Sequence, residues 1–326
     1  MIYKDLNKNI EDLVFLSHEI GNRLDYVQGG GGNISVKIDQ KRLIVKASGV
    51  KLKNLNSQYG FSLVNFAQVN QIILQLIQDP KSNDDKFNHN INKFNEKIPS
   101  LTKLRPSMEI GFHSLIPSKY VIHSHPIYCQ LLLSCKEGEK ITRQIFDDVL
   151  WVDYRNPGWD LTKHLFQEIN KKNSSVIFLQ NHGLIIADDN FQQALKLHEQ
   201  INKKICDYLS IDFNKFDNIN LQTRYSSTQI EFFKNNILFP DQIIFGNDQD
   251  SSQNQIYQEI LFVYFYILKN LEKSGLKPNF ISHENVDFVK NMESEKYRKK
   301  IDKELNNKNN NENNNEFDKE IDKLCK

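Results

Sequence analysis

Residues 105–130 read RPSMEIGFHSLIPSKYVIHSHPIYCQ, and the run KYVIHSHP within them predicts a β-strand over 119–125. Apolar residues precede the two histidines, and Pro126 requires an extended residue before it. Residues two apart on a strand point to the same face, so His123 and His125 are a pair of candidate metal ligands. An HxH pair is equally compatible with two hydrogen-bonded structural histidines, and the pair alone does not decide between these interpretations.

A third histidine strengthens the interpretation as a metal site. The sequence VIFLQNHGLIIAD places His182 in a turn between two apolar strands, because Asn181 and Gly183 favour turns. Packing alone gives little reason for an imidazole there. Three imidazoles with an open coordination position are the pattern of a catalytic zinc centre, although cobalt, manganese and iron also accept imidazole. The sequence therefore predicts a divalent metal centre formed by His123, His125 and His182.

Two further groups lie just before this strand. The spacing of residues 106–116 predicts a helix that carries Glu109 and His113 on one face, since residues four apart are neighbours on a helix. Glu109 is a candidate metal ligand or a catalytic base beside the metal; the alternative is a solvated charge that pairs with His113. We expect His113 to hold another group in place without binding the metal itself.

The motif GGGGNIS at residues 29–35 has neither the GxGxxG spacing of a dinucleotide-binding loop nor the GK[ST] of a P-loop. Successive glycines can still turn their N–H groups toward an anion. KASG at 46–49 and RPS at 105–107 add two more donor-rich turns. Together these turns predict a phosphate site, and ordinary tight turns remain the alternative.

Composition limits the class of protein. The 326-residue chain has a net charge of +1, a pI of about 7.7 and a mean hydropathy of −0.56. This balance gives no basis for a nucleic-acid or membrane partner and is typical of a soluble protein. Acidic residues precede any apolar run at the N-terminus, and the four cysteines form no CxxC pair. We therefore expect a cytoplasmic protein with buried or incidental thiols.

The hydrophobic pattern alternates between helical and strand periodicity, which predicts an α/β or α+β layered domain. The predicted helices cover 4–25, 126–134, 159–172, 190–209 and 253–273. The predicted strands form a hairpin after the glycine run, open the segment 61–78, and cover SSVIFLQ and LIIAD. Two other segments are expected to be irregular: an exposed loop at 80–99 and a turn-and-strand element in FPDQIIFG.

The motifs GGNIS, KASG, RPSMEIGFH, HSHP and NHG, in this order, resemble the class II aldolase/adducin family over residues 8–210. RPSMEIGFH, HSHP and LQNHGLIIAD also resemble the aldolase half of bifunctional rhamnulose-1-phosphate aldolase/dehydrogenase proteins, and LFPDQIIFG and MESEKYRKK resemble its C-terminal extension. The resemblance implies a three-layer α/β/α domain with a central, mainly antiparallel sheet over 1–212. A small helical extension would follow at 213–302, and the Asn-rich tail at 303–326 is expected to be disordered.

The resemblance also implies roles for individual residues. His123, His125 and His182 would bind zinc, and Glu109 would be the acid/base residue, able to touch the metal when no substrate is bound. Tyr154, in WVDYRNPG, would be a second catalytic residue donated across a subunit interface of a homo-oligomer, with a tetramer favoured. The phosphate site would be formed by Gly32, Asn33, Ser48, Gly49 and Ser107. Met108 departs from the family, because its aldolases often carry a second serine there.

The implied activity is that of a lyase. A zinc-stabilised enediolate would allow reversible cleavage of a sugar phosphate, of the ketose 1-phosphate kind, into dihydroxyacetone phosphate and an aldehyde. A sugar-phosphate 4-epimerase is the nearest alternative, and its members often have Asp at the position of Glu109. A non-catalytic adducin-like interaction module needs no metal triad. Decarboxylase and dehydratase activities on the same metal site also remain open.

Overall fold

The structure, a computed structural model, describes residues 2–95, 104–172, 174–213, 224–246, 255–298 and 300–301. One mixed sheet forms its centre, in the strand order β3-β2-β1-β4-β7-β6-β5. The strands are β1 (Asn33–Lys37), β2 (Arg42–Lys46), β3 (Phe61–Asn65), β4 (Tyr120–Ser124), β5 (Leu150–Val152), β6 (Val176–Leu179) and β7 (Gly183–Asp188). Among the strands of the described residues, only β5 and β6 form a parallel pair. This arrangement confirms the predicted α/β class with a mainly antiparallel sheet.

Helices cover both faces of the sheet, because successive strand residues are buried on opposite sides. The neighbours Val121 and Ile122 on β4 belong to two different hydrophobic clusters. One face packs against α1 (Ile2–Gly21), α5 (Ile127–Leu133), α6 (Gly138–Ile145) and α8 (Phe191–Leu209). The other face packs against α2 (Phe66–Ile77), α3 (Asp84–Asn95), α4 (Ile110–Leu115) and α7 (Trp159–Lys171). The chain is therefore layered α/β/α around β4 and β7.

The prediction of an exposed loop at 80–99 is wrong over residues 84–95, which form helix α3. The segment is polar, but Phe87 and Ile91 lie four residues apart and are both buried. Their side chains join the cluster of α2, and the Phe87 ring lies 5.3 Å from that of Trp159. Two apolar residues at helical spacing are enough to anchor this helix. Residues 96–99 and the Asn-rich tail at 303–326 lie outside the described residues.

The C-terminal extension contains α9 (Ser227–Asn235), α10 (Pro240–Phe245), α11 (Gln255–Lys273) and α12 (His283–Asn291), and residues 293–298 are also helical. FPDQIIFG was expected to form a turn and strand, but it forms α10. Pro240 occupies the first helical turn, where its missing N–H costs nothing. The Gln242 side chain accepts from Leu238 N and donates to the Phe233 carbonyl oxygen, which fixes the start of this short helix.

The extension packs against the domain through α11 and α5, and α10 contacts both α11 and α12. Throughout the part of the chain that the structure describes, no helix combines the length and apolar character needed to cross a membrane.

Candidate active site

Strand β4 and the β6–β7 turn bring the three predicted ligands together. His123 and His125 lie on β4 and directly after it, and His182 lies in the turn between β6 and β7. One ring nitrogen from each histidine can be chosen so that all three lie within 4.8 Å of one another. The three side chains are buried, with 0%, 6% and 4% of their residue surface exposed. The predicted convergence of His123, His125 and His182 is therefore present in the fold.

The β6–β7 turn has a backbone feature that fixes His182. Asn181 adopts a positive φ of 53°, which asparagine tolerates better than most residues. Its side-chain amide donates to the carbonyl oxygens of Leu238 and Asn279, at 2.9 and 2.7 Å. The turn is thereby tied to the C-terminal extension, and the next residue, His182, points toward β4.

Hydrogen bonds define which nitrogens of the first two histidines face the centre of the cluster. His123 Nδ1 lies 3.1 Å from the Leu184 carbonyl oxygen, and His125 Nδ1 lies 2.5 Å from Asp241 Oδ2. Both oxygens are acceptors, so each Nδ1 carries the proton and each Nε2 presents a lone pair. The two Nε2 atoms are only 3.1 Å apart. Two lone pairs at this distance repel each other unless a cation lies between them.

Burial favours the metal-binding form of the His123 imidazole. Desolvation holds the pKa of His123 well below its usual range, although the nearby Glu109 carboxylate opposes the shift. A neutral imidazole with a free Nε2 is the ligand form. The three nitrogen donors, their burial and the fixed tautomers of His123 and His125 therefore fit a divalent transition metal.

Glu109 completes the cluster. Its Oε1 lies 3.2 Å from His182 Nε2, and its Oε2 lies 3.6 Å from His123 Nε2. Asn33 Nδ2 donates to Oε2 at 2.6 Å, whereas Oε1 makes no well-aligned hydrogen bond within the described residues. Burial favours protonation of this carboxyl group, but His123, His182 and Asn33 together hold the pKa of Glu109 well below its usual range. Glu109 is thus an ionised carboxylate with one oxygen directed at the histidines.

The predicted helix over 106–116 is shorter than expected. Helix α4 begins at Ile110, and Glu109 is the residue before it, with φ −91° and ψ 12°. His113 is fully buried and does not reach the other three histidines. Its Nδ1 lies 2.7 Å from Ser35 Oγ, and its Nε2 contacts Asn33 Oδ1. Because the same Asn33 binds Glu109, His113 stands in the supporting position that the sequence predicted for it.

Four of the five residues predicted for the phosphate site line a cavity beside the cluster, together with Glu109, His125 and His182. They are Gly32, Asn33, Ser48 and Ser107. The cavity has a volume of about 20 Å³. Gly49 is not part of its lining and lies under Ile301, whose Cβ would be 2.6 Å from a Cβ on residue 49.

The glycine run does not offer all of its N–H groups to a ligand. Gly29 N donates to Glu259 Oε2 at 3.1 Å, and Gly31 N donates to the Gln28 carbonyl oxygen at 2.9 Å. Gly30 and Gly32 line the cavity. Lys46, which is 3% exposed, adds a buried cation to the lining, with Nζ 2.6 Å from the Val50 carbonyl oxygen.

Tyr154 is not among the residues that line this cavity. Its hydroxyl donates to Asn156 Oδ1 at 3.3 Å, and burial raises the pKa of the phenol. The role predicted for Tyr154 is in the site of a neighbouring subunit. Its position within one chain does not test that role, which stays a prediction.

Three charged residues of the C-terminal extension line the cavity and were not predicted from the sequence: Asp241, Glu295 and Arg298. Asp241 contacts His125, and Arg298 Nη2 lies 2.6 Å from Asp241 Oδ1. Asp241 follows a proline in FPDQ and Arg298 stands in the basic run YRKK, and neither setting signals a buried role. Only the folded chain brings them to a histidine more than a hundred residues away.

Three buried histidines lie together on and beside the central strands of a mixed sheet, next to a glutamate that precedes α4, and could hold a metal ion. Residues 11–206 match the model of the family described as "Class II Aldolase and Adducin N-terminal domain". The chain belongs to this family.

Individual proteins are similar to part of this chain. A protein named "Uncharacterized oxidoreductase YuxG", from Bacillus subtilis (strain 168), is 25% identical over 219 residues, which cover 63% of this chain and 31% of that protein. The chain thus spans about a third of the length of this relative. The solved N-terminal class II aldolase domain of a conserved protein from Thermoplasma acidophilum is 26% identical, with a TM-score of 0.53, over 62% of this chain and 93% of that one. A sugar-phosphate aldolase from Thermotoga maritima is 13% identical, with a TM-score of 0.47, over 63% of this chain and 95% of that one.

Proposed function

We propose that this chain is a metal-dependent class II aldolase that cleaves a sugar phosphate of the ketose 1-phosphate kind into dihydroxyacetone phosphate and an aldehyde, reversibly. The observation that carries the proposal is the convergence of His123, His125 and His182 with an ionised Glu109 in one buried cluster. An adducin-like interaction module has no need for this arrangement, because buried histidines and a buried carboxylate cost stability unless they bind something.

The three imidazoles would hold the metal, and zinc suits three nitrogen ligands with an open position. When bound, a zinc ion supplies a Lewis acid that stabilises negative charge developing on substrate oxygens during carbon–carbon bond cleavage. The hydrogen bonds from His123 to Leu184 and from His125 to Asp241 keep the ligand nitrogens in place before substrate arrives.

Glu109 would move the proton at the substrate carbon that becomes the nucleophile. Its pKa is held low, so the carboxylate is ready to accept a proton at neutral pH. Asn33 holds one carboxylate oxygen at 2.6 Å and leaves the other directed at the cluster. His113 and Ser35 in turn hold Asn33. This chain of contacts aims Glu109 without exposing it to bulk water.

The phosphate group would bind where the cavity offers hydroxyl and cationic donors. Ser107 Oγ accepts from Asn33 Nδ2 and from Glu109 N, which leaves its own hydroxyl proton for an anion. Ser48 and Lys46 line the same cavity. Met108, which replaces a hydroxyl donor common in family aldolases, lines it as well. A buried lysine adds positive charge that the missing serine hydroxyl would not supply.

The proposal includes a cytoplasmic homo-oligomer, with a tetramer favoured, in which Tyr154 of one copy would act on the aldehyde-side oxygen in another. Within its own chain the Tyr154 hydroxyl is 3.3 Å from Asn156 Oδ1 and does not line the cavity.

The test measures metal content and cleavage on the same samples. Purified wild type and His125→Ala are analysed by plasma mass spectrometry after zinc loading and dialysis. A panel of ketose 1-phosphates is then assayed for release of dihydroxyacetone phosphate with a coupled dehydrogenase. His283→Ala is the matched control, because His283 is exposed at the start of α12.

We expect about one zinc per chain and release of dihydroxyacetone phosphate in wild type and in His283→Ala, and loss of both in His125→Ala. A wild-type protein that takes up no metal after loading would overturn the aldolase proposal. Metal uptake without release of dihydroxyacetone phosphate from any member of the panel would overturn the substrate assignment and leave the metal centre standing.

A further inference from the structure

We propose that Asp241, in the C-terminal extension, is a positioning residue for the metal ligand His125, and that Arg298 holds Asp241 in place. The inference depends on the metal centre of the proposed function. It extends that function, because both residues lie beyond the matched family domain at residues 11–206. The extension would then be part of the site and would be required for tight metal binding.

The first observation is the way in which the Asp241 carboxylate is bound. It is 1% exposed, and its two oxygens point in different directions. Oδ2 lies 2.5 Å from His125 Nδ1, and Oδ1 lies 2.6 Å from Arg298 Nη2. A carboxylate that accepts from an imidazole Nδ1–H fixes the ring orientation and makes Nε2 a stronger ligand. With both oxygens engaged, Asp241 has no other orientation available to it.

The second observation is the charge balance of the group. Arg298 contacts Asp241 and also lies 3.1 Å from Glu295 Oε2, and its guanidinium is 5.2 Å from the centre of the Phe245 ring. A buried carboxylate next to a metal ligand needs a cation to offset its desolvation. Arg298 supplies that cation, since its Nη2 lies 2.6 Å from Asp241 Oδ1 and its side chain is itself largely buried.

The third observation comes from the glycine run. A Cβ placed on Gly31 would lie 2.5 Å from Asp241 Oδ2 and 2.7 Å from His125 Nδ1. Real Cβ atoms essentially never make such contacts with fixed neighbours, so only glycine leaves room for this hydrogen bond. The backbone of the N-terminal domain is thus shaped around a contact that the extension makes 116 residues after His125.

The test measures zinc affinity by competition with a chromophoric chelator in the full-length chain. The variants are Asp241→Asn, Arg298→Met and the double variant, with Asp287→Asn as the matched control because Asp287 is exposed on α12. Asn can still accept from His125, but it carries no charge. We expect Asp241→Asn to bind zinc about 10- to 100-fold more weakly than wild type, and Asp287→Asn to bind it equally.

The double variant distinguishes positioning from a general loss of stability. If Arg298 acts through Asp241, Arg298→Met lowers zinc affinity in the wild-type background but has little further effect once Asp241 is replaced. Cobalt-loaded protein gives a second measurement, since the visible absorption of Co²⁺ follows ligand geometry. We expect a changed spectrum in Asp241→Asn and an unchanged one in Asp287→Asn.

Wild-type zinc affinity in Asp241→Asn, or losses that multiply in the double variant, would overturn the inference while leaving the aldolase proposal intact. A wild type that binds no zinc would overturn both. If Asp241→Asn fails to fold, the zinc affinity of Arg298→Met provides the test. This variant keeps the contact between Asp241 and His125 but removes the cation that holds the Asp241 carboxylate. Wild-type affinity in that variant would refute the role of Arg298 in holding Asp241.

Discussion

Acid stability tests how β4 is supported on the face away from the histidine cluster. Ser124 lies between His123 and His125, and its Oγ is 2.7 Å from His198 Nε2 on α8. His198 is 1% exposed, and its ring lies edge-on to that of Tyr26 at 4.5 Å. Burial, with a smaller contribution from Arg23, lowers the pKa of His198 to about 3. We predict that His198→Gln removes a large part of the acid sensitivity of the fold.

Proton binding decides whether stability rises or falls with pH. A histidine in the unfolded chain has a pKa of 6.5, so below that pH the unfolded state binds a proton that folded His198 does not. Stability contributed by neutral His198 is therefore complete above pH 6.5 and is lost as pH falls toward 3. Each pH unit in this window changes the free energy of unfolding by about 1.4 kcal/mol. Between pH 7 and pH 4 the free energy of unfolding of wild type should therefore fall by about 3 kcal/mol through His198 alone. His113, with a pKa lowered to about 3 by burial, adds a similar loss that is present in both proteins.

The assay is urea unfolding of metal-free protein at fixed concentration, at pH 7, 6, 5 and 4, for wild type, His198→Gln and His283→Gln. At pH 7 we expect His198→Gln to be less stable than wild type by about 1 to 3 kcal/mol, from lost packing and a weakened bond to Ser124. That gap should close and then reverse as pH falls. The exposed His283→Gln control should run parallel to wild type. Parallel curves for wild type and His198→Gln would refute the assignment of a buried, neutral His198.

Three further outcomes follow from single contacts. Gly31→Ala should keep its fold but lose zinc affinity, because a Cβ there would displace Asp241; a chelator competition measures this, and affinity equal to wild type would contradict it. Asp84→Asn should be more stable than wild type by about 2 kcal/mol at pH 7 and equally stable near pH 4, because burial raises the pKa of Asp84 to about 6 and folding is weakened as that group ionises. The asparagine side chain still accepts from Trp159 N. A pH series of urea melts measures this, and an equal difference in stability at pH 7 and pH 4 would contradict it. Lys37→Met should lower the free energy of unfolding by at least about 2 kcal/mol, since Lys37 Nζ donates to three carbonyl oxygens. An unchanged free energy of unfolding in a urea melt at pH 7 would contradict this.

The sequence predicts the convergence of the three histidines well because that convergence depends on local geometry. The HxH spacing and the proline after it define one face of β4, and the NHG turn can only lie where two apolar strands end. A pairing between β4 and β7, seen as Ser124 opposite Leu184, then brings the two positions together. No long-range information beyond the sheet is needed to place His123, His125 and His182.

Prediction failed where short segments depend on distant partners. The polar segment at 84–95 is a helix because α2 and α7 cover Phe87 and Ile91, although its own composition favours a loop. FPDQIIFG contains β-branched residues that favour a strand, yet the Gln242 side chain and contacts with α11 and α12 make it a helix. In both cases tertiary packing overrides a weak local preference.

The glycine run shows how the same residue type supports two different chemistries. Four successive glycines at 29–32 predict an anion nest, since their N–H groups can turn inward without steric cost. In the fold, Gly29 N is instead bound by the Glu259 carboxylate, and the missing side chain of Gly31 makes room for the Asp241 carboxylate. The run does accommodate anions, but these two come from the extension of the same chain. A loop whose shape depends on two carboxylates from α10 and α11 couples the docking of the extension to the geometry of the histidine cluster. Removal of the extension should therefore disturb this cluster, even though His123, His125 and His182 all lie outside the extension.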